Sequence, residues 1–270
     1  MKEDTEGLSY FITKKVGKAI WDYRMIQDGD RILIAVSGGK DSLSLLRIMK
    51  ERMRFVPIRY EIIACHVDMG FEWVRKDLLI EHFQNEGIRY VVTSPTDALY
   101  KEGETFGCFW CSWTRRKRFY AMAKELGCSK IALGHHMDDI TETLLLNLLF
   151  NGEICTMRPC QEMFGGEVSL IRPLAYVEEH ELVRLAEGLD LPVIKSRCPH
   201  AKTSKRRLAK SLIQEAEQHS RTVKKNLFRS LQRVRKEYLL GYENIPVVPR
   251  SGKQKSQVAS VESPPVPIVE

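Results

Sequence analysis

An apolar run, Ile32-Leu33-Ile34-Ala35-Val36, leads directly into Ser37-Gly38-Gly39-Lys40-Asp41-Ser42, and a second apolar stretch from Leu43 to Met49 follows at once. A strand, a glycine-rich turn and a helix start are compressed into one short stretch. Few backbones accept that order. It demands a βα junction in which paired glycines let main-chain N–H groups approach an anion. The helix that follows directs the positive end of its dipole to the same spot. Lys40 adds a point charge, and Ser37 and Ser42 add hydroxyl donors. Asp41 makes sense inside an anion site if a magnesium ion bridges it to phosphates. The segment is not a Walker A loop, because an aspartate follows the lysine and the earlier glycine of that motif is missing. A βα turn with glycines for geometry alone is the plainer alternative, but it leaves the lysine, the aspartate and both serines unexplained.

Strand patterns recur at 31–36, 60–67, 88–93, 130–134 and 168–172, alternating with helical patterns at 42–53, 72–86, 112–127, 138–150 and 177–188. Such alternation predicts an α/β fold: a parallel twisted sheet of about five strands with helices on both faces. Ligands of these sheets bind beyond the carboxyl ends of the strands. Ser37, His66-Val67-Asp68 and Gly134-His135-His136 all stand at strand ends, so they are expected to converge on one cleft. Asp138 and Asp139 open the next helix, either as caps or with Asp138 facing the nucleotide as a catalytic group or magnesium ligand. The expected organisation is an N-terminal helical segment (1–28), a nucleotide-binding domain (29–200), a basic helical segment (201–240) and a proline-rich, disordered tail (241–270).

With 270 residues and 43% hydrophobic content, the chain can bury one sizeable core. It has no apolar stretch of membrane-spanning length and no signal-peptide core, which points to the cytosol. Seven cysteines in such a chain favour metal binding or catalysis over a disulfide framework. The net charge of +7 is uneven. Twelve Lys or Arg lie between Lys202 and Lys236, against only Glu215 and Glu217. Such an excess attracts phosphate backbones, although charge runs also arise as solvated helix faces.

Cys108-Phe109-Trp110-Cys111 is a CxxC pair, able to bind a metal or cluster or to cycle as a dithiol. The pair lies late in the sheet, not at the first strand where a thioredoxin-like dithiol sits. Structural zinc needs four ligands, and a second CxxC is absent. Cys198 is the best third ligand. Three thiolates on a cubane iron–sulfur cluster leave one iron open, which favours catalysis over structure. Cys65 and Cys128 read as core residues; Cys155 and Cys160 fall on an expected loop, where either is a further candidate ligand.

Ser37-Gly-Gly-Lys-Asp-Ser42, Val67-Asp68, Cys108-x-x-Cys111, Gly134-His135-His136-Met137-Asp138-Asp139 with Glu142-Thr143, and Cys198 together resemble the tRNA 2-thiolation enzymes of the N-type ATP pyrophosphatase (PP-loop) superfamily, in particular the tRNA 2-thiocytidine synthetase group. The resemblance covers roughly residues 25–200. It implies an adenine nucleotide alpha-hydrolase-like fold, ATP and magnesium as cofactors, and a 4Fe–4S cluster on Cys108, Cys111 and Cys198. It implies ATP held at Ser37, Gly38, Gly39, Lys40, Asp41, Ser42, His66, Val67, Asp68, Gly134 and His135, with magnesium at Asp41. Catalytic work would fall to Lys40, Arg115 and Asp138. ATP would adenylate a pyrimidine C2 carbonyl, and sulfur from a cysteine desulfurase or free sulfide would displace the adenylate. Lys205, Arg206, Arg207, Lys224 and Lys225 would grip the tRNA, and the enzyme would be a homodimer. The chain lacks the zinc-binding cysteine pairs of related uridine thiolases, has Pro199-His200 after Cys198, and has Met137 where many relatives carry a polar residue. Competing readings are a tRNA-lysidine synthetase-like ligase, an ATP pyrophosphatase acting on a small molecule, and a non-catalytic RNA-binding redox sensor.

Overall fold

The computed structural model describes residues 2–71, 73–95, 107–195 and 205–240. Six strands form one sheet: β1 (Asp30–Ala35), β2 (Tyr60–Val67), β3 (Tyr90–Thr93), β4 (Lys130–Ala132), β5 (Cys160–Met163) and β6 (Val168–Ile171). Their order is β3-β2-β1-β4-β6-β5, parallel throughout except for the antiparallel pair β5 and β6. Residues Ile32, Leu33 and Ile34 of β1 are each 0% exposed, which is the continuous apolar run of a strand covered on both faces. Their side chains alternate between two cores. Ile32 and Ile34 pack with Ile62, Ala64 and Ile171 on one face, and Leu33 with Ile63, Cys65, Ile131 and Leu170 on the other.

Helices α1 (Lys2–Asp22), α2 (Lys40–Arg52), α3 (Lys76–Asn85) and α6 (Glu179–Gly188) supply the first core, through Ile12, Val16, Leu45, Phe83 and Leu182 among others. Helix α4 (Cys108–Glu125) covers the opposite face with Met122 and Ala123. Helix α5 (Met137–Leu146) extends into a single π turn, Asn147–Asn151, and carries α7 (Lys205–His219) and α8 (Val223–Ser230) on its outer side.

Two expectations change. The N-terminal helix stops at Asp22 rather than near residue 28, because Arg24 takes a left-handed conformation (φ 49°) that turns the chain towards β1. A sixth strand, β5, replaces the loop expected around Cys160. It is a short, partly exposed edge strand (Cys-Gln-Glu-Met), without the apolar alternation that marks a strand in sequence. Cys198 and the tail beyond residue 240 lie outside the described residues.

Candidate active site

The strand order reverses between β1 and β4, and there the structure opens a cleft of about 280 Å³. This is the switch-point crevice in which open α/β sheets bind ligands. Ser37 lines it from the turn after β1, Asp41 and Ser42 from the first turn of α2, His66 and Val67 from the end of β2, Gly134 and His135 from just past β4, and Ser112, Arg115 and Arg116 from α4.

The phosphate loop is built by local hydrogen bonds. Ser37 N donates to Ser42 Oγ (3.2 Å), Ser42 Oγ donates to the Gly39 carbonyl (3.0 Å), and Gly39 N donates to Ser37 Oγ (3.3 Å). Gly38 has φ +88°, and a Cβ there would stand 2.9 Å from Ile194 Cδ1. At Gly134, a Cβ would meet Ser42 N at 3.0 Å, so β4 ends directly against the first turn of α2. No side chain caps α2; its first amides are left for an anion.

Lys40 does not line the cleft. Its ammonium lies 3.3 Å from Asp41 and 3.1 Å from Glu179 of α6. Burial opposes its charge, but Asp41 and Glu179 outweigh it and hold the amine above its ordinary value. Asp41 Oδ1 is buried and accepts no hydrogen bond, although the Lys40 ammonium passes close by. Burial pushes this carboxyl up, against the pull of His136 and Lys40, and Asp139 adds to the rise. An orphaned carboxylate oxygen at the mouth of a phosphate loop suits a magnesium ion, which takes one or two carboxylates together with substrate phosphates.

Asp138 and Asp139 part company. Asp139 lines the cleft, accepts from His136 N (2.8 Å) and pairs with Arg206 (2.6 Å). The expectation that Asp138 faces the nucleotide is corrected: its carboxylate accepts from Glu179 N and pairs with Lys224, both at 2.8 Å. It lines a second, charged cavity of about 600 Å³ between α5, α6, α7 and α8. Adjacent residues on a helix point about 100° apart, so one member of the pair turns outward.

The basic segment is likewise divided. Arg206 spans Asp139 and Glu142, and Lys224 spans Asp138, Glu178 and Glu217. These two were expected at the RNA backbone and instead tie α7 and α8 to α5. Arg207 and Lys225 are exposed, as is Lys205, whose ammonium sits 4.7 Å from the Phe150 ring. Asp68, expected at the adenosine, does not line the cleft; it accepts from Lys76 Nζ (2.8 Å) and Gly70 N (2.9 Å). His66 is fixed by its Nδ1 against the Val36 carbonyl at 2.8 Å, and burial lowers its pKa.

Cys108 and Cys111 stand in the first turn of α4, one turn before Arg115 on the cleft wall. Cys111 is half-buried. Cysteine thiolates are iron ligands, so a CxxC pair in the first turn of α4 fits a cluster. Cys198 and the Cys108 side chain fall outside the described residues. Cys65 is a core thiol pushed up to about 12 by burial, and Cys128 to about 11. Sequence reasoning missed Glu179, which grips Lys40, and Arg172, which touches His135. Neither belongs to a motif, and only the fold brings them in.

A parallel sheet whose switch-point crevice carries this loop defines an adenine-nucleotide-binding α/β protein, and the chain belongs to the PP-loop domain family, whose model matches residues 10–215. Within that family it is similar to the tRNA-cytidine(32) 2-sulfurtransferases. It is 40% identical to that of Geobacter sulfurreducens, over 86% of this chain and 93% of the relative. It is 36% identical to that of Deinococcus radiodurans, over 89% and 84%. Among solved structures, the U34-tRNA thiolase NcsA of Methanococcus maripaludis, with its 4Fe–4S cluster, superposes with a TM-score of 0.71 at 25% identity, covering 88% of this chain and 81% of that one.

Proposed function

We propose that this protein is an ATP-dependent tRNA thiolase that adenylates the C2 carbonyl of a cytidine in the anticodon loop and replaces its oxygen with sulfur. The carrying observation is that Ser37, Asp41 and Ser42 of the phosphate loop share one cleft with Ser112, Arg115 and Arg116 of α4, the helix whose first turn carries Cys108 and Cys111. The sulfurtransferase relatives match this chain over most of its length, which supports the same reading.

A pyrimidine carbonyl is a poor electrophile, and AMP on its oxygen turns that oxygen into a leaving group. The carbonyl oxygen attacks the α-phosphorus and pyrophosphate departs. The α2 amides, Ser37, Ser42 and Lys40 hold the departing pyrophosphate, with Lys40 leaving Glu179 to do so. Asp41 would hold magnesium, which neutralises phosphate charge. Arg115 and Arg116 offset charge on the transferring phosphoryl group. Cys108, Cys111 and Cys198 would hold the 4Fe–4S cluster, which supplies an iron for sulfur binding. A sulfur nucleophile then attacks C2 and AMP leaves. The base must leave its stack to reach the cleft, so an unpaired loop nucleotide is the natural substrate. Lys205, Arg207 and Lys225 meet the phosphate backbone. A cysteine desulfurase or free sulfide supplies the sulfur. The setting is the cytosol, where thiols stay reduced. The working unit is a homodimer, for which exposed Phe11 and Trp21 of α1 offer a contact.

Mass analysis of nucleosides from unmodified tRNA, incubated anaerobically with the protein, ATP, magnesium and sulfide, tests the proposal. It expects 2-thiocytidine. Lysidine formed in the presence of lysine, with no sulfur in the tRNA, would replace thiolation with the ligase reading.

A further inference from the structure

Behind the cleft wall lies a buried arginine. Arg172 directly follows β6, is 0% exposed, and has no ion pair with a carboxylate among the described residues. Its Nε donates to His135 Nδ1 at 3.2 Å, its Nη1 donates to the Arg158 carbonyl at 2.5 Å, and its Nη2 is buried without a partner. A guanidinium has no lone pair to offer and keeps its protons, so Nδ1 of His135 can only be the acceptor. A neutral imidazole whose Nδ1 accepts carries its hydrogen on Nε2.

We infer that Arg172 is a positioning residue that locks His135 in its Nε2–H tautomer, so that the cleft presents a fixed, neutral N–H donor to a phosphate oxygen of the nucleotide. Gly134, the preceding residue, packs on Ser42 of the phosphate loop, which puts this donor beside the phosphates rather than the base. Burial first, and the Arg172 charge second, lower the His135 pKa to about 3, so the ring stays neutral at working pH. A buried cation without a carboxylate partner costs stability, and an apolar side chain of similar volume is often as stable or more so. Its cost to the fold is explained by what it does to His135.

The inference rests on the reading of this cleft as the nucleotide's, but its first test does not. Long-range proton–nitrogen NMR of histidine-labelled, nucleotide-free protein reports the tautomer, with the His135 signal assigned by its absence in His135→Gln. A single Nε2–H form in the wild type, lost in Arg172→Met, is expected. A mixture in the wild type, or the same form in Arg172→Met, would overturn the inference. The second test is a double-mutant cycle on the affinity for a non-hydrolysable ATP analogue. His135→Leu and Arg172→Met each weaken it about tenfold, the scale of one hydrogen bond. His135→Gln, which keeps an N–H donor, recovers most of the loss. Combined, Arg172→Met and His135→Leu are no worse than either alone. Additive losses would show that Arg172 acts independently of His135 and sink the inference. A wild-type protein with the fixed tautomer that binds no ATP analogue would instead sink the reading of the cleft.

Discussion

Asp41 sits among charges that pull its proton both ways. Its folded pKa is raised, by burial first, above the ordinary 3.8. A raised carboxyl contributes stability that is complete below the unfolded value and is lost as pH rises through the folded one. At neutral pH the metal-free carboxylate therefore costs stability, and a magnesium ion at Oδ1 recovers it. Asp41→Asn is expected to melt no lower than the wild type without magnesium, to lose the magnesium-dependent rise in Tm, and to release AMP about 100-fold more slowly, the scale of one preorganised electrostatic group. Thermal unfolding with and without magnesium, beside an AMP assay, checks all three. At this scale the contiguous motifs were legible, because Ser37–Ser42 and Gly134–His136 each fix their own backbone. The choice between Asp138 and Asp139 was not legible. It depends on which way α5 is rotated against α6 and α8, and that is decided by Lys224 and Glu179 from elsewhere in the chain.

At the scale of elements, α7 and α8 are docked by charge as much as by apolar contact. Ile213 and Phe228 are buried, but Arg206, Lys210 and Lys224 reach the acids of α5 and α6. Removing one partner of a buried pair strands the other, at about 3–5 kcal/mol. Lys224→Met is expected to destabilise by that amount in urea unfolding, whereas Arg229→Ala, on the exposed side of α8, stays within about 0.5 kcal/mol. The pair also sets an acid limit. Burial opposes ionisation of Asp138, but His136, Lys224 and the Glu179 amide together hold its carboxyl well below the usual range. A depressed carboxyl gives stability that is present above the ordinary aspartate value and lost as pH falls towards the folded one. Lys224→Met should therefore unfold at a higher pH than the wild type in an acid titration followed by circular dichroism. The strand and helix alternation was legible because both faces of the sheet are covered, which leaves continuous apolar runs. The charge run of residues 202–236 misled in part: charge counted along a sequence does not separate lysines facing solvent from those facing an acidic helix.

For the whole molecule, the proposed function divides the labour between a cleft that activates with ATP and a basic exterior that meets RNA. Among the described residues no helix is long and apolar enough to cross a membrane, and Lys205, Arg207 and Lys225 are exposed on the outer helices. Replacing both Arg207 and Lys225 by alanine is expected to weaken tRNA binding and to reduce its salt slope by about two. Binding titrations at several salt concentrations check this, with AMP release at saturating tRNA unchanged. The central claim is that the oxygen lost from the base departs on AMP. Its most direct test is a single-turnover thiolation run in heavy-oxygen water, with AMP, pyrophosphate and tRNA sulfur all quantified by mass. About one AMP and one pyrophosphate per sulfur inserted are expected, with no water-derived oxygen in the AMP. Label in the AMP would show that water rather than the cytidine carbonyl attacks the α-phosphorus, and ADP as the nucleotide product would show that the γ-phosphoryl group is transferred instead; either would contradict the claim.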